Sequence, residues 1–326
     1  MEEFISAIVS TSNPDNEVRK KAESFIEQIS HSPGYTSTLL NLSQSPLQHE
    51  HPALIQTMSS VLLGAFVEKN WRFRDQAHLE SMVICGSEFY QIVSAPEKDY
   101  IRKNLLNAML VNQDQKVMNQ YLRCLRKIVH IDYPSEFPEL LPQIVTLVNM
   151  DSEPAIKIGL HSLIILCQKY EFDMDQEKKK VLDQIVKETF PTLGNLVNKL
   201  ISVAPQESIL KLIKLVCKVF YVANQIEICP CLADSLDPWM ALLKSLLEMK
   251  VPDELESKEG KNYEEKEHSV YWNIKKLASK TCYRLLLKYS KQPKEPLQQV
   301  FWKKLNSSFF VPFLESNLLL VLRTQS

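Results

Sequence analysis

Amphipathic segments with helical periodicity recur along this chain in pairs, at a spacing of very roughly 40 to 55 residues, separated by short Pro, Asn or Asp punctuation. A helix pair of this kind cannot bury its apolar faces alone and has to stack on its neighbours. The second member of each pair is the clearer one. Val18, Ala22, Phe25, Ile26 and Ile29 fall on one helical face, with Asn13 read as the N-cap and Pro14 in the first turn. Leu54, Met58, Val61 and Ala65 mark a second such helix over 52–70, and Val117, Tyr121, Leu125 and Ile128 a third. Ile156, Leu160, Leu163 and Cys167 mark a fourth, Ile209, Leu212, Ile213, Val216 and Phe220 a fifth, and Ile274, Leu277, Ala278, Thr281, Cys282 and Leu285 a sixth. First members are expected near 36–44, 97–111, 138–149, 179–201 and 235–249, with one more element over 74–94 and a last helix from about 297. This pattern predicts an all-α chain, an α-solenoid whose stacked pairs form a right-handed superhelical arch with one convex and one concave surface. Residues 1–326 read as a single array of about six to seven pairs. The apolar run Leu318-Leu319-Leu320-Val321-Leu322 reads as leading into further repeats.

Composition supports the same class. Glycine occurs only 6 times in 326 residues, against a usual ~7%, so the turns a β-rich fold requires are largely missing. Hydrophobic residues make up 45% and charged residues 24%, enough to build a large core. With 38 Lys+Arg against 39 Asp+Glu the net charge is −1, so no global positive field draws nucleic acid. Apolar runs are far shorter than the ~20 residues of a membrane span. Seven cysteines do not form an evident disulfide framework, and Glu2 and Glu3 stand where a basic leader would begin, so a reduced, intracellular setting is expected. Cys229-Pro230-Cys231 and His49-Glu50-His51 lack the second ligand pair of a zinc site, and no phosphate-cradling loop or nucleophile elbow occurs. Neither enzymatic activity, a metal nor a cofactor is expected.

Two motifs carry a resemblance. The stretch Asp132-Tyr133-Pro134-Ser135-Glu136-Phe137-Pro138-Glu139-Leu140-Leu141-Pro142 places one proline at the end of a helix and a second at the start of the next, with Phe137 as the packing anchor between them. Further along, Val251-Pro252, an acidic segment and then Tyr271-Trp272-Asn273-Ile274-Lys275-Lys276-Leu277-Ala278 follow in order. Together they resemble the karyopherin-β, or importin-β, superfamily of nuclear transport receptors, most closely its importin-seven and importin-eight type, over a span from about Asn13 to residue 292. The resemblance implies HEAT-type helix pairs, binding of the small GTPase Ran in its GTP form, docking of Phe-Gly nucleoporins, carriage of protein cargo, and shuttling between cytoplasm and nucleus. One departure stands out. Where such receptors place Leu-Lys-Asn ahead of a Trp, this chain reads Leu63-Gly64-Ala65 ahead of Trp71, which weakens the implied Ran contact.

Lys116, Asn119, Arg123, Arg126, Lys127 and His130 form one polar stripe on the third second-helix. Taken alone, the stripe fits a solvated face as well as a partner-binding strip. With the resemblance, Arg123, Arg126 and Lys127, joined by Glu68 and Lys69, become the expected Ran contacts. Leu196, Leu200, Met240 and Leu243 are expected either to line apolar nucleoporin grooves or to be buried as core. Residues 252–267 carry seven acids (Asp253, Glu254, Glu256, Glu259, Glu264, Glu265 and Glu267) against three lysines. That segment reads as an attractor for a basic partner or as a plain connector. The competing functional reading is a static scaffold of a protein assembly, and an exportin is a close variant of the first.

Overall fold

The computed structural model describes residues 1–44, 48–71, 93–202, 206–233, 235–252, 269–289, 291–292, 294 and 296–306. Among these residues there are thirteen α-helices and no strand. They are α1 (Glu2–Ser10), α2 (Asn16–Ser30), α3 (Tyr35–Gln44), α4 (Pro52–Asn70), α5 (Ala95–Val111), α6 (Gln115–Asp132), α7 (Leu140–Asn149), α8 (Glu153–Gln168), α9 (Gln176–Ile201), α10 (Glu207–Ala223), α11 (Leu236–Glu248), α12 (Val270–Tyr289) and α13 (Pro296–Lys304). The chain divides into two compact units, Met1–Pro142 with Ser152–Ile158, and Gln143–Asp151 with Gly159–Ser326.

In the first unit α1 packs on α2, α3 on α4 and α5 on α6, while α3 also lies on α5 and α4 on α6. First helices thus form one layer and second helices another. In the second unit α9 packs on α10, α11 on α12, and α10 on α12, repeating the same ladder. This two-layer stacking of antiparallel pairs is the HEAT-type arrangement that the paired periodicity predicts. Its energy comes from side chains such as Leu63, Tyr121, Leu125, Leu160, Val216 and Phe220, all buried. Each contributes on the order of 1.5–3 kcal/mol by leaving water. In the second unit Phe190, Phe220 and Trp239 bring one ring each from α9, α10 and α11 to a common cluster, with centroids 5.1 to 6.2 Å apart. Glu97 at the start of α5 accepts hydrogen bonds from the backbone N–H and hydroxyl of Thr36 at 3.1 and 2.7 Å, tying the first layer together at a helix start.

Several local expectations need correction. The cap of α2 is Asp15, which accepts from the Glu17 N–H at 2.8 Å, and Asn13 instead accepts from the Asp15 N–H at 2.9 Å in the preceding turn. Val18 is 38% exposed at the lip of an open groove between α1 and α2 rather than buried. The buried face of α4 is Ile55, Ser59, Ser60, Leu63, Gly64 and Val67, roughly one residue round from the Leu54, Met58, Val61, Ala65 face. The cause is that small residues mark the closest approach: a Cβ on Gly64 would sit 2.7 Å from Gln120 Oε1 of α6. A reading based on large apolar residues therefore picks the neighbouring face. Pro138 lies in the turn before α7 rather than in its first turn, although Phe137 is buried as expected. The short α1, buried through Phe4, Ala7 and Ile8, has no counterpart in the expected elements. The expected element over 74–94 lies outside the described residues except for Val93 and Ser94, as does the run from Leu318 to Leu322.

Candidate functional site

The polar stripe of the sequence reading lies on α6, along its seam with α4. Asp114 caps α6 by accepting from the N–H groups of Lys116 and Val117, and the apolar face from Val117 to Val129 is buried, which leaves the stripe outward. Arg126 and His130 are exposed, while Arg123 and Lys127 are half-buried. Arg123 reaches across the seam to form an ion pair with Glu68 of α4. Glu68 and Arg123, two of the five expected Ran contacts, are thus joined to each other. Lys69, the next residue, lies on the opposite flank of α4, in a groove of about 600 Å³ that also takes in Glu23 and Glu27 of α2 and Ala65 and Phe66 of α4. Gly64 and Ala65 therefore do not share a site. Gly64 faces α6 beneath Gln120 and Arg123, whereas Ala65 is exposed in the groove beside α2.

Beneath the seam is a polar group that the residue-by-residue reading missed. Asp132, the first residue of the Asp-Tyr-Pro motif and only 3% exposed, accepts from Trp71 Nε1 at 3.0 Å and from Arg102 at 2.7 Å. Arg102 of α5 also pairs with Asp99, and Lys98 stands over the Trp71 ring at 5.4 Å. Burial opposes the charge on Arg102, but its hydrogen bonds to Asp99 and Asp132 outweigh that and raise its pKa. One carboxylate thus holds the residue after α4, the middle of α5 and the end of α6 in register. Trp71 and Asp132 were both visible in the sequence, but their separation of 61 positions hides the pairing.

The motif at Trp272 also proves to be architectural. Lys275 is buried and donates to the Leu247 carbonyl at 2.6 Å, satisfying an acceptor in the last turn of α11. Lys276 is exposed. Leu196, Met240 and Leu243 are buried, and Leu200 is half-buried. Met240 also borders a groove of about 210 Å³ with Leu236, Asp237, Ala241, Lys244, Lys304 and Leu305. The acidic residues from Asp253 to Glu267 lie outside the described residues. Cys231 donates through its thiol to the Asp183 carbonyl at 3.6 Å, and burial pushes its pKa up to about 12, as a packed thiol rather than a nucleophile would have it. His51 N–H donates to His49 Nδ1 at 3.1 Å. Among the described residues no cluster of His, Cys, Asp or Glu has the grouping of a metal site, and no helix is long and apolar enough to cross a membrane.

Comparison with known proteins accounts for this geometry. Residues 22–111, covering most of α2 through α5, match the Importin-beta N-terminal domain. Over 98% of its length the chain is 26% identical to an importin beta-like SAD2 homolog of Arabidopsis thaliana, covering 29% of that protein. It is 28% identical over 67% of its length to a probable importin-7 homolog of Dictyostelium discoideum, covering 19% of it, and 24% identical over 72% to exportin-2 of Pagrus major, covering 23%. The chain thus spans less than a third of the length of these relatives. Among solved structures, the exportin Cse1 in its cargo-free, cytoplasmic state superposes with a TM-score of 0.72 at 15% identity, over 94% of this chain and 30% of that one. Importin beta superposes at 0.52 and 11% identity, over 99% and 32%. Both share the HEAT-type fold. With a match to the Importin-beta N-terminal domain in its first unit and importins and an exportin among the proteins it resembles, the chain is similar to the karyopherin-β superfamily.

Proposed function

We propose that this chain works as the Ran-responsive N-terminal array of a nuclear transport receptor of the importin type, one that shuttles between cytoplasm and nucleus with protein cargo and releases it on binding Ran-GTP. The observation that carries this reading is the Importin-beta N-terminal domain at residues 22–111, which includes α4 and so half of the α4/α6 seam. The superfamily is one of transport receptors rather than enzymes. In this reading Arg126 and Lys127 meet the GTPase directly, and Glu68 acts by holding Arg123 in place. Lys69 contributes from the groove on the other flank of α4. Residues 1–326 then form one repeat array. The importin-seven type is supported by the Dictyostelium relative. Phe-Gly nucleoporins are assigned to the groove bordered by Met240, with the half-buried Leu200 as a separate candidate contact, while Leu196 and Leu243 are buried. The acidic segment, including Glu264, Glu265 and Glu267, is assigned to attracting a basic partner.

The test is a pull-down of Ran-GTP, with Ran-GDP as control, using the wild type and an Arg126→Glu, Lys127→Glu double variant. GTP-selective binding that the double variant loses by about tenfold or more supports the reading. Binding indifferent to the nucleotide, or none at all, replaces it with a static scaffold. An export receptor is the second reading, favoured by the exportin-2 relative. Whether Ran-GTP expels or recruits cargo separates the two.

A further inference from the structure

The seam between α10 and α12, in the second unit, carries a concentration of cations that the transport reading does not use. Lys214, Lys218 and Tyr221 lie at i, i+4 and i+7 along α10, with Gln225 just past its end, and Lys276, Lys280 and Arg284 at i, i+4 and i+8 along α12. The side chains interlock. Arg284 stacks on Tyr221 with its guanidinium carbon 3.6 Å from the ring centroid, donates to the Tyr221 carbonyl at 3.3 Å and bonds Gln225 Oε1. Lys280 stands over the same ring at 5.3 Å. These partners are neutral, so they fix the positions of the cations without cancelling their charge. Among the described residues no carboxylate lies within ion-pair distance of Lys214, Lys218, Lys280 or Arg284, and the ion pair of this face, Lys211 with Glu207, is one turn away. Glu171 is the carboxylate coupled to Arg284 and Lys218, a single negative charge against at least four positive ones. Partial burial and the repulsion of Lys218 both lower the pKa of Lys214, as an arrangement short of anions should.

We propose that this face binds an extended, carboxylate-rich peptide segment of a partner protein. Spacing favours an extended chain: one helical turn separates Lys214 from Lys218, and Lys280 from Arg284, by about 6 Å. In an extended peptide, alternate residues on one side lie about 6.6 Å apart. Acids at every second position therefore meet successive cations of a row. The face goes beyond the Ran reading and stands whether or not Arg126 and Lys127 meet the GTPase, since those residues lie on the first unit.

The experiment is fluorescence anisotropy of the whole chain with a labelled peptide of alternating glutamate and serine, against the same peptide with glutamine for glutamate. It is run from about 50 to about 250 mM salt. The glutamate peptide should bind and weaken steeply with salt. A Lys218→Glu, Lys280→Glu double variant should lose about tenfold or more in affinity, and Lys218→Gln, Lys280→Gln less, because charge reversal repels where neutralisation only removes attraction. Lys218 and Lys280 are exposed, and circular dichroism checks that both variants stay folded. Arg126→Glu, Lys127→Glu on α6 should leave peptide binding within about twofold. The proposal is overturned if both α10/α12 variants bind like the wild type, if the glutamine peptide binds equally, or if a single-stranded oligonucleotide of matched charge binds more tightly than the peptide.

Discussion

The α4/α6 seam and the α10/α12 seam are built alike and charged differently. In both, the second helices of successive pairs run parallel: Glu68 meets Arg123 and Trp71 meets Asp132 in one, Tyr221 meets Lys280 and Ile226 meets Lys288 in the other. In the first seam carboxylates answer the cations, with Glu68 on Arg123 and Asp132 on Arg102. In the second the acceptors are an aromatic face, a side-chain amide and backbone carbonyls. Packing sets how the helices approach, whereas the choice of acceptor decides whether the seam presents charge to a partner. A fold can thus hold its geometry constant while the electrostatics of each repeat vary.

The widest expected gap between the units appears in alkali. Burial pushes the thiols of Cys167, Cys217 and Cys282 up to about 12 and that of Cys229 well above its ordinary value in the second unit, and that of Cys124 up to about 12 in the first. A raised thiol pKa contributes stability that is whole below the unfolded value, near 8.5, and is lost as pH rises towards 12. The loss is about 1.4 kcal/mol per pH unit for each thiol. Among the described residues, four deeply buried thiols against one should make the second unit open first above about pH 9.5. Cleavage by an alkaline protease, mapped by mass spectrometry, reads the order directly; simultaneous opening, or first cuts between α2 and α6, would contradict it.

Asp132→Ala comes next. It strands the buried Arg102 and the Trp71 indole N–H, and should cost about 3–5 kcal/mol. Hydrogen exchange should rise in α4, α5 and α6 while α10 and α12 keep their protection. Arg284→Gln, its counterpart in the second unit, removes a cation–π contact but no ion pair, and a loss of about 1–2 kcal/mol is expected in urea unfolding. A cost as large as that of Asp132→Ala would mean that neutral acceptors anchor as firmly as carboxylates. Glu68→Gln should change stability by only about 0.2–1 kcal/mol, since both side chains keep much of their surface in water. Its value lies in function: it leaves Arg123 unanswered, and should let the first seam gain affinity for the glutamate peptide in the same anisotropy assay. Smallest of all, Gly64→Ala should be within about 0.5 kcal/mol of neutral, because a helix-propensity gain of up to ~1 kcal/mol is offset by displacing the amide end of Gln120. Thermal unfolding checks it.

Period and punctuation made the helices legible. The expected 52–70, 97–111, 179–201 and 235–249 fall within a few residues of α4, α5, α9 and α11, and α9 continues through Pro191 as the reading required. What periodicity conveys poorly is rotation about the helix axis where large and small residues compete, as on α4. It also understates a short first helix such as α1, whose three buried residues make too brief a pattern. The site was legible only as one-sided chemistry. The α6 stripe was visible because its residues sit on one helix, but its neutralisation by Glu68 is a contact between residues 55 positions apart. Tyr221 with Arg284 escaped for the same reason, at a separation of 63. The polar motif residues Asp132 and Lys275 look like surface groups in a one-dimensional reading and are buried ties between helices.

The order in which the Asp132 group is made has a consequence during synthesis. Trp71 and Arg102 leave the ribosome well before Asp132, so the first two helix pairs can assemble while the guanidinium still has only Asp99 for an anionic partner. Desolvating it at that stage would be costly. The nascent first unit should therefore stay loose around α5 until the end of α6 has emerged, and close in one step when the carboxylate arrives. A nascent chain whose emerged part stops just short of Asp132 would then be a better chaperone client than one whose emerged part runs a turn or two beyond it, although the two differ by only a few residues.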